Sequence, residues 1–170
     1  DMVTGSNIKS GDMLIGLPST GLHTNGYSLA RASLLGRYSL EDHFDELNGT
    51  LAEALLAVHR SYLATIAAVL KKFEVKGLSH ITGGGIVGNT RRIVPRGLSL
   101  HIDWTAWERP AIFKLIQRTG DVPEDDMRRT FNLGIGLILI VSKKKCDDVL
   151  EFVRKRGEQC VVVGDVVKAA

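Results

Sequence analysis

"HITGGGIVGN", His80 to Asn89, is the stretch whose reading decides the fold. Its Gly83, Gly85 and Gly88 fit the G-x-G-x-x-G spacing of a dinucleotide-binding turn, and Asp103 stands about where such a fold places its ribose-binding acid. A true match would make the chain a doubly wound α/β domain, but the flanks argue against it. "KGLSH" before the turn is too polar for the first parallel strand of such a sheet. Pro95 leaves the following helix fewer than about ten residues, where a whole crossover unit runs to about 30. The chain also lacks the Gly-Lys-Ser/Thr of a P-loop. What survives is the physics beneath both motifs. Consecutive glycines let successive backbone N–H groups converge on one anion, and a helix start adds partial positive charge. The competing reading is a tight turn that needs positive φ and holds nothing.

Working outward, strand and helix signals alternate without the strict βαβ period of a doubly wound sheet. "MLIGL" (Met13 to Leu17) reads as a buried strand, "VKGLSHI" as a weak one, "GLSLHID" as a better one, and "CVVVGDVV" as the last. "GIGLILIVS" (Gly134 to Ser142) is the most apolar segment and reads as a central strand. The spacing predicts helices over Tyr27 to Leu35, Ala111 to Arg118 and Glu124 to Thr130, the last two starting after Pro110 and Pro123. Another is expected through Val149, Leu150, Phe152 and Val153, ending at Gly157. Thr50 and Glu53 form a capping box that opens one long helical region through Leu51, Leu55, Val58, Tyr62, Ile66 and Val69, with a bend near His59. Asn89 is expected to cap a short helix from Thr90 to Val94. The fold class is therefore a single α+β domain, a mixed sheet covered by helices.

Composition narrows the function. The chain has 170 residues, 44% hydrophobic and 24% charged, a globular composition that argues against disorder. Lys and Arg exceed Asp and Glu by 22 to 19, a net charge of +3 that is not gathered into a stripe, so no nucleic-acid partner is expected and an anionic small molecule is favoured. No run approaches the roughly 20 apolar residues of a membrane span, so no membrane partner is expected. Cys146 and Cys160 lack metal-ligand spacing and read as free thiols in a reducing, cytoplasmic setting. No metal ligands are assigned, and His43, His59 and His101 read as surface or packing residues. The opening "DMVTGSNIKSGD" reads like the tail of a connection within a longer polypeptide.

A second loop, "STGLHTNGYSLAR", sets His23, Thr24 and Asn25 between glycines and ahead of a helix, as His80 and Thr82 are set in the first. Two such loops point to a shared pocket. Together with "LSHITGGGIVGNTRRIVPRGL", the run from Trp107 through "MRRTFNLGIGLILIV", and the closing "VVVGDVV", this loop resembles the C-terminal domain of aminoimidazole ribonucleotide synthetase, the phosphoribosylformylglycinamidine cyclo-ligase. The resemblance covers nearly the whole chain, in order. It implies an ATP-dependent ring closure in purine biosynthesis, in which formylglycinamidine ribonucleotide is activated as an iminophosphate and closes to aminoimidazole ribonucleotide. It also implies that ATP and Mg2+ are bound mainly by an N-terminal domain outside this chain, that this chain alone is inactive, and that the full-length protein is a homodimer. Carried onto matching positions, Thr24, Thr82, Gly83, Gly84 and Gly85 bind substrate or phosphate, His23 and Asn25 orient the formyl or amidine end, and His80 donates to the departing phosphate. Two alternatives stand beside this reading. One is a non-catalytic module for phosphorylated metabolites. The other is a related ATP-dependent enzyme of the selenophosphate synthetase or thiamine monophosphate kinase type.

Overall fold

The computed structural model describes residues 2–169. In chain order its elements are β1 (Met13–Pro18), α1 (Tyr27–Leu34), a small hairpin of β2 (His43–Phe44) and β3 (Gly49–Thr50), α2 (Leu51–Leu55), α3 (Leu63–Lys72), β4 (Gly77–His80), α4 (Gly85–Arg91), β5 (Leu98–Ile102), α5 (Ala111–Gly120), α6 (Glu124–Thr130), β6 (Ile135–Val141), α7 (Cys146–Lys155) and β7 (Val161–Lys168). Five strands form one sheet in the order β4-β6-β1-β7-β5. The α+β class and the helix-covered sheet agree with the sequence. The mixed pairing does not, because every neighbouring pair in this sheet is antiparallel.

The reason lies in β6, whose seven residues are all buried. A continuous apolar run is usual for parallel strands covered on both faces. Here double coverage arises around an antiparallel strand. Ile15, Leu17, Leu137, Leu139 and Val141 pack on one face with Val69 of α3 and Val149 and Val153 of α7. Leu14, Ile138, Ile140, Val163 and Val166 pack on the other with Ile81 and Ile86 of the β4–α4 segment. The alternation of neighbours between two cores is the period-two pleat of a strand. A third cluster gathers α1, α2, α5 and α6 around Phe113, Leu115, Ile116, Met127 and Phe131.

Helix starts follow local chemistry. Glu124, Asp125 and Asp126 fill the first turn of α6 after Pro123, and Arg128 and Arg129 its last, which suits the helix dipole at both ends. The capping box at Thr50 and Glu53 is formed. The long helix expected after it is not continuous: residues 56–62 leave helical geometry, and Val58 is exposed rather than packed. Side chains of this linker are drawn to the sheet instead, since Arg60 Nη1 and the Tyr62 hydroxyl both donate to the Pro18 carbonyl at the end of β1. Arg60 also pairs with Glu158, whose other oxygen accepts from Thr65 at 2.9 Å.

Candidate functional site

Register brings the two sequence loops together. β1 and β4 both pair antiparallel with β6, so they run the same way on either side of it. Pro18 stands opposite Ile135 and His80 opposite Leu137, and both strands therefore release their loops beside the start of β6. Backbone bonds pin the exits: Ser19 N–H donates to Gly134 O at 2.8 Å and Ile81 N–H to Gly136 O at 2.9 Å. Asn132, 2% exposed, ties the same corner by donating to Gly21 O and accepting from Ser19 Oγ and Gly134 N–H. The "FNLGIG" motif thus organises the loops from beneath.

Three imidazoles meet there. His23 and His80 come from the two loops, and His59 is delivered by the broken helix. The His59 and His23 ring centroids lie 3.8 Å apart with a 31° tilt, and the His59 and His80 Nε2 atoms are 3.2 Å apart. A carbonyl can only accept, so the 2.9 Å contact of His59 Nδ1 with Arg60 O places the His59 proton on Nδ1. His59 Nε2 is then a lone pair that accepts from His80 Nε2–H, which leaves His80 with a free basic Nδ1. His23 Nε2 accepts from Thr20 N–H at 3.2 Å, and its Nδ1 is buried without a partner. Gly136 makes room for this packing. A Cβ there would stand 2.0 Å from the Tyr62 hydroxyl and 2.7 Å from His23 Cε1.

The environment disfavours protonation of His23 and His80. Burial, then the neighbouring His59, His80 and Arg60, pushes the His23 pKa down to about 4. His80 is lowered by partial burial and then by His59, which favours its neutral imidazole form. Burial pushes the Tyr62 phenol up to about 12, which keeps its O–H protonated and able to donate to Pro18 O.

The glycine run follows His80 closely in the chain, and its N–H groups already have protein acceptors. Gly83 N–H donates to Asn25 Oδ1 at 2.9 Å, Gly84 N–H to Arg129 O at 3.0 Å and Gly85 N–H to Thr82 O at 3.1 Å. The Thr82 hydroxyl donates to Asn89 Oδ1 at 2.9 Å. Asn89 is not the cap of a following helix. It lies inside α4, and its amide reaches back to the Thr82 and Gly85 carbonyls at 3.0 and 2.8 Å, locking the turn. Gly84 and Gly85 have φ of +107° and +65°, and a Cβ on Gly85 would fall 1.8 Å from Arg128 O. The turn therefore has its own structural need for glycine, and an anion gains only the N–H that Asn25 can surrender.

All the residues singled out from the two loops are assembled at this end of the sheet except Thr24, which stands exposed on its loop. His59 was read as a surface or packing residue, and the structure corrects that: it is the middle member of the imidazole cluster. Tyr62 and Arg60, which fix the linker, were also missed. The available signal was "HRSY" itself, three polar residues and a tyrosine interrupting an otherwise aliphatic helix pattern.

Comparison with known proteins fits this arrangement. The family described as "AIR synthase related protein, C-terminal domain" matches residues 9–170. The chain belongs to that family. It is 45% identical over 166 residues to the phosphoribosylformylglycinamidine cyclo-ligase of Desulfitobacterium hafniense (strain DSM 10664 / DCB-2), covering 98% of this chain and 49% of that protein. The Sorangium cellulosum (strain So ce56) enzyme of the same name is 46% identical over 170 residues, covering 98% of this chain and 49% of its own length. The chain thus spans about half the length of the curated relatives it matches. Among solved structures, the hydrogenase maturation protein HypE of E. coli superposes with a TM-score of 0.60 at 18% identity, over 96% of this chain and 46% of that one, a likeness of fold. Among the described residues, no helix is long and apolar enough to cross a membrane.

Proposed function

We propose that this family member is the substrate-binding half of an ATP-dependent cyclo-ligase that converts formylglycinamidine ribonucleotide to aminoimidazole ribonucleotide. The observation that carries the reading is the joining of two loops, through Asn25 Oδ1 and Gly83 N–H, close in the chain to the exposed His80, whose pKa is lowered. In the reaction the formyl oxygen attacks the γ-phosphorus of ATP and ADP leaves. The amidine nitrogen then attacks the activated carbon, and the oxygen departs with phosphate as the nitrogen loses a proton. His80 Nδ1 accepts that proton, and Asn25 orients the amidine or formyl end. His23, buried and unable to take up a second proton near neutral pH, helps orient the formyl or amidine end as a neutral imidazole. The transferred phosphoryl group takes the place of Asn25 Oδ1 on Gly83 N–H, with Thr82, Gly84 and Gly85 holding the turn that presents it. Thr24, at the rim, meets the ribose phosphate from solvent.

The imidazole, amide and hydroxyl set does not suit Mg2+, which takes oxygen ligands and favours carboxylates and phosphates. ATP and Mg2+ are accordingly assigned to the N-terminal half of a two-domain, dimeric, cytoplasmic enzyme. The test is ADP release coupled to imidazole formation by the full-length protein. Expected are ATP-dependent turnover, a kcat fall of about 10²–10⁴-fold in His80→Ala, as for loss of a general base, and no turnover by the 170-residue chain alone. Undiminished turnover in His80→Ala removes the assigned base, and turnover by the chain alone removes the division of labour.

A further inference from the structure

We propose that His23, His59 and His80 form a binding site for one borderline-soft divalent cation of the Zn2+ class. Their ligand atoms all lie within 4.8 Å of one another, and no other such group of His, Cys, Asp and Glu occurs among the described residues. A tetrahedral site with Zn–N bonds of about 2.0–2.1 Å separates its ligand atoms by about 3.3 Å. His59 Nε2 and His80 Nε2 stand 3.2 Å apart, already the spacing of one edge.

Outer contacts favour the same use. His59 Nδ1–H donates to the Arg60 carbonyl at 2.9 Å, the kind of support that orients a ligating imidazole and leaves its Nε2 lone pair facing the metal. His80 joins by moving its proton to Nδ1. His23 lies face to face with His59, so its ring must turn to complete the set. What holds it is a single bond from Thr20 N–H, and its buried Nδ1 has no partner to lose. The Tyr62 hydroxyl is committed to Pro18 O and is not a ligand. Arg60 brings an opposing positive charge, which its ion pair with Glu158 offsets. Three neutral nitrogens select Zn2+, Co2+, Ni2+ or Cu2+ over Mg2+ and Ca2+. Exposed His80 leaves the fourth position open to water, the pattern of three protein ligands and one exchangeable ligand.

The proposal stands on this geometry and not on the reaction proposed above, with which it competes for His80, since an ion on His80 Nε2 leaves the proton on the Nδ1 assigned there as base. Titration of the full-length protein with Zn2+ by calorimetry, and with Co2+ by visible absorption, tests it without any activity measurement. Expected are one high-affinity ion per chain, Co2+ bands of four-coordinate intensity, and no displacement by excess Mg2+. His59→Ala and His80→Ala, at positions the fold leaves partly open, should each weaken Zn2+ binding by more than the roughly 10–100-fold that an outer-shell loss costs. His43→Ala and His101→Ala should change nothing. Wild-type affinity in the folded His59→Ala and His80→Ala proteins overturns the site, as does binding that falls equally in the His43 and His101 variants.

Discussion

Two glycine runs border the imidazole cluster, and they are glycine for different reasons. In "TGGG" the constraint is backbone against backbone, since Gly85 is pressed on the carbonyl of Arg128 at the end of α6. In "LGIG" Gly136 is a notch in a buried strand, into which a tyrosine hydroxyl and an imidazole fit. Side chains can move aside, whereas a carbonyl within a helix cannot without unwinding it. A glycine-rich motif is thus not evidence of a ligand until the atom each missing Cβ would meet is known.

The sharpest way to break this contrast is Gly85→Ala. The added methyl meets a backbone oxygen at 1.8 Å in a residue of positive φ, so the loss should exceed the 1–3 kcal/mol usual for overpacking, to about 4 kcal/mol or more. Urea denaturation would read it, and a loss below about 1 kcal/mol means that α4 and α6 can separate freely.

Acid should come next. His23 takes up its proton at the ordinary 6.5 when unfolded but only at about 4 in the fold, where burial and the charges of His59, His80 and Arg60 oppose it. Stability is therefore complete above about pH 6.5, falls as pH drops towards 4, and levels off below, a loss of about 3 kcal/mol. The lowered His80 adds in the same direction, while the Tyr62 phenol nearby stays protonated across this window. His23→Gln should flatten most of that slope in denaturation midpoints compared at pH 7 and 5, and an unchanged slope assigns it to other groups.

Gly136→Ala should cost about 1–3 kcal/mol, the range of a strained but adjustable core. Removing the obstructing hydroxyl with Tyr62→Phe should make the double variant less damaged than the sum of the two. Strict additivity would sever the proposed contact. The smallest effect belongs to Gly83→Ala, whose Cβ meets nothing closer than Asn25 Oδ1 at 3.7 Å. It should stay within about 0.5 kcal/mol in the same denaturation assay. A large loss there would make all three glycines alike and end the contrast.

Much of the fold was legible because local signals and tertiary packing agree. α6 spans Glu124–Thr130 as its proline and charge pattern require, and the capping box forms at Thr50. The strand of most continuous apolar character is interior, as read. What escaped was set by long-range geometry. The antiparallel direction of β6 depends on which strands flank it, and a run buried on both faces reads the same either way. The break at residues 56–62 is imposed by Pro18 O and Glu158, partners distant in sequence, so a helical period through Val58 looked sound. His23 and His80 could be found from their loops, but His59 lies on no comparable motif.

The bond from Gly83 N–H to Asn25 Oδ1 has a consequence for observing this molecule. It joins loops 58 residues apart through one backbone amide whose only partner is a side chain at the surface. That amide can exchange its hydrogen when the loops part, without any strand of the sheet opening. Its resonance therefore works as a gauge of the gap: exchange slows when something bridges the loops and quickens when they drift apart, while the amides of β6 keep the slow clock of global unfolding. A single glycine peak would then record every visitor to the cleft, whether anion, cation or nucleotide, before any chemistry takes place.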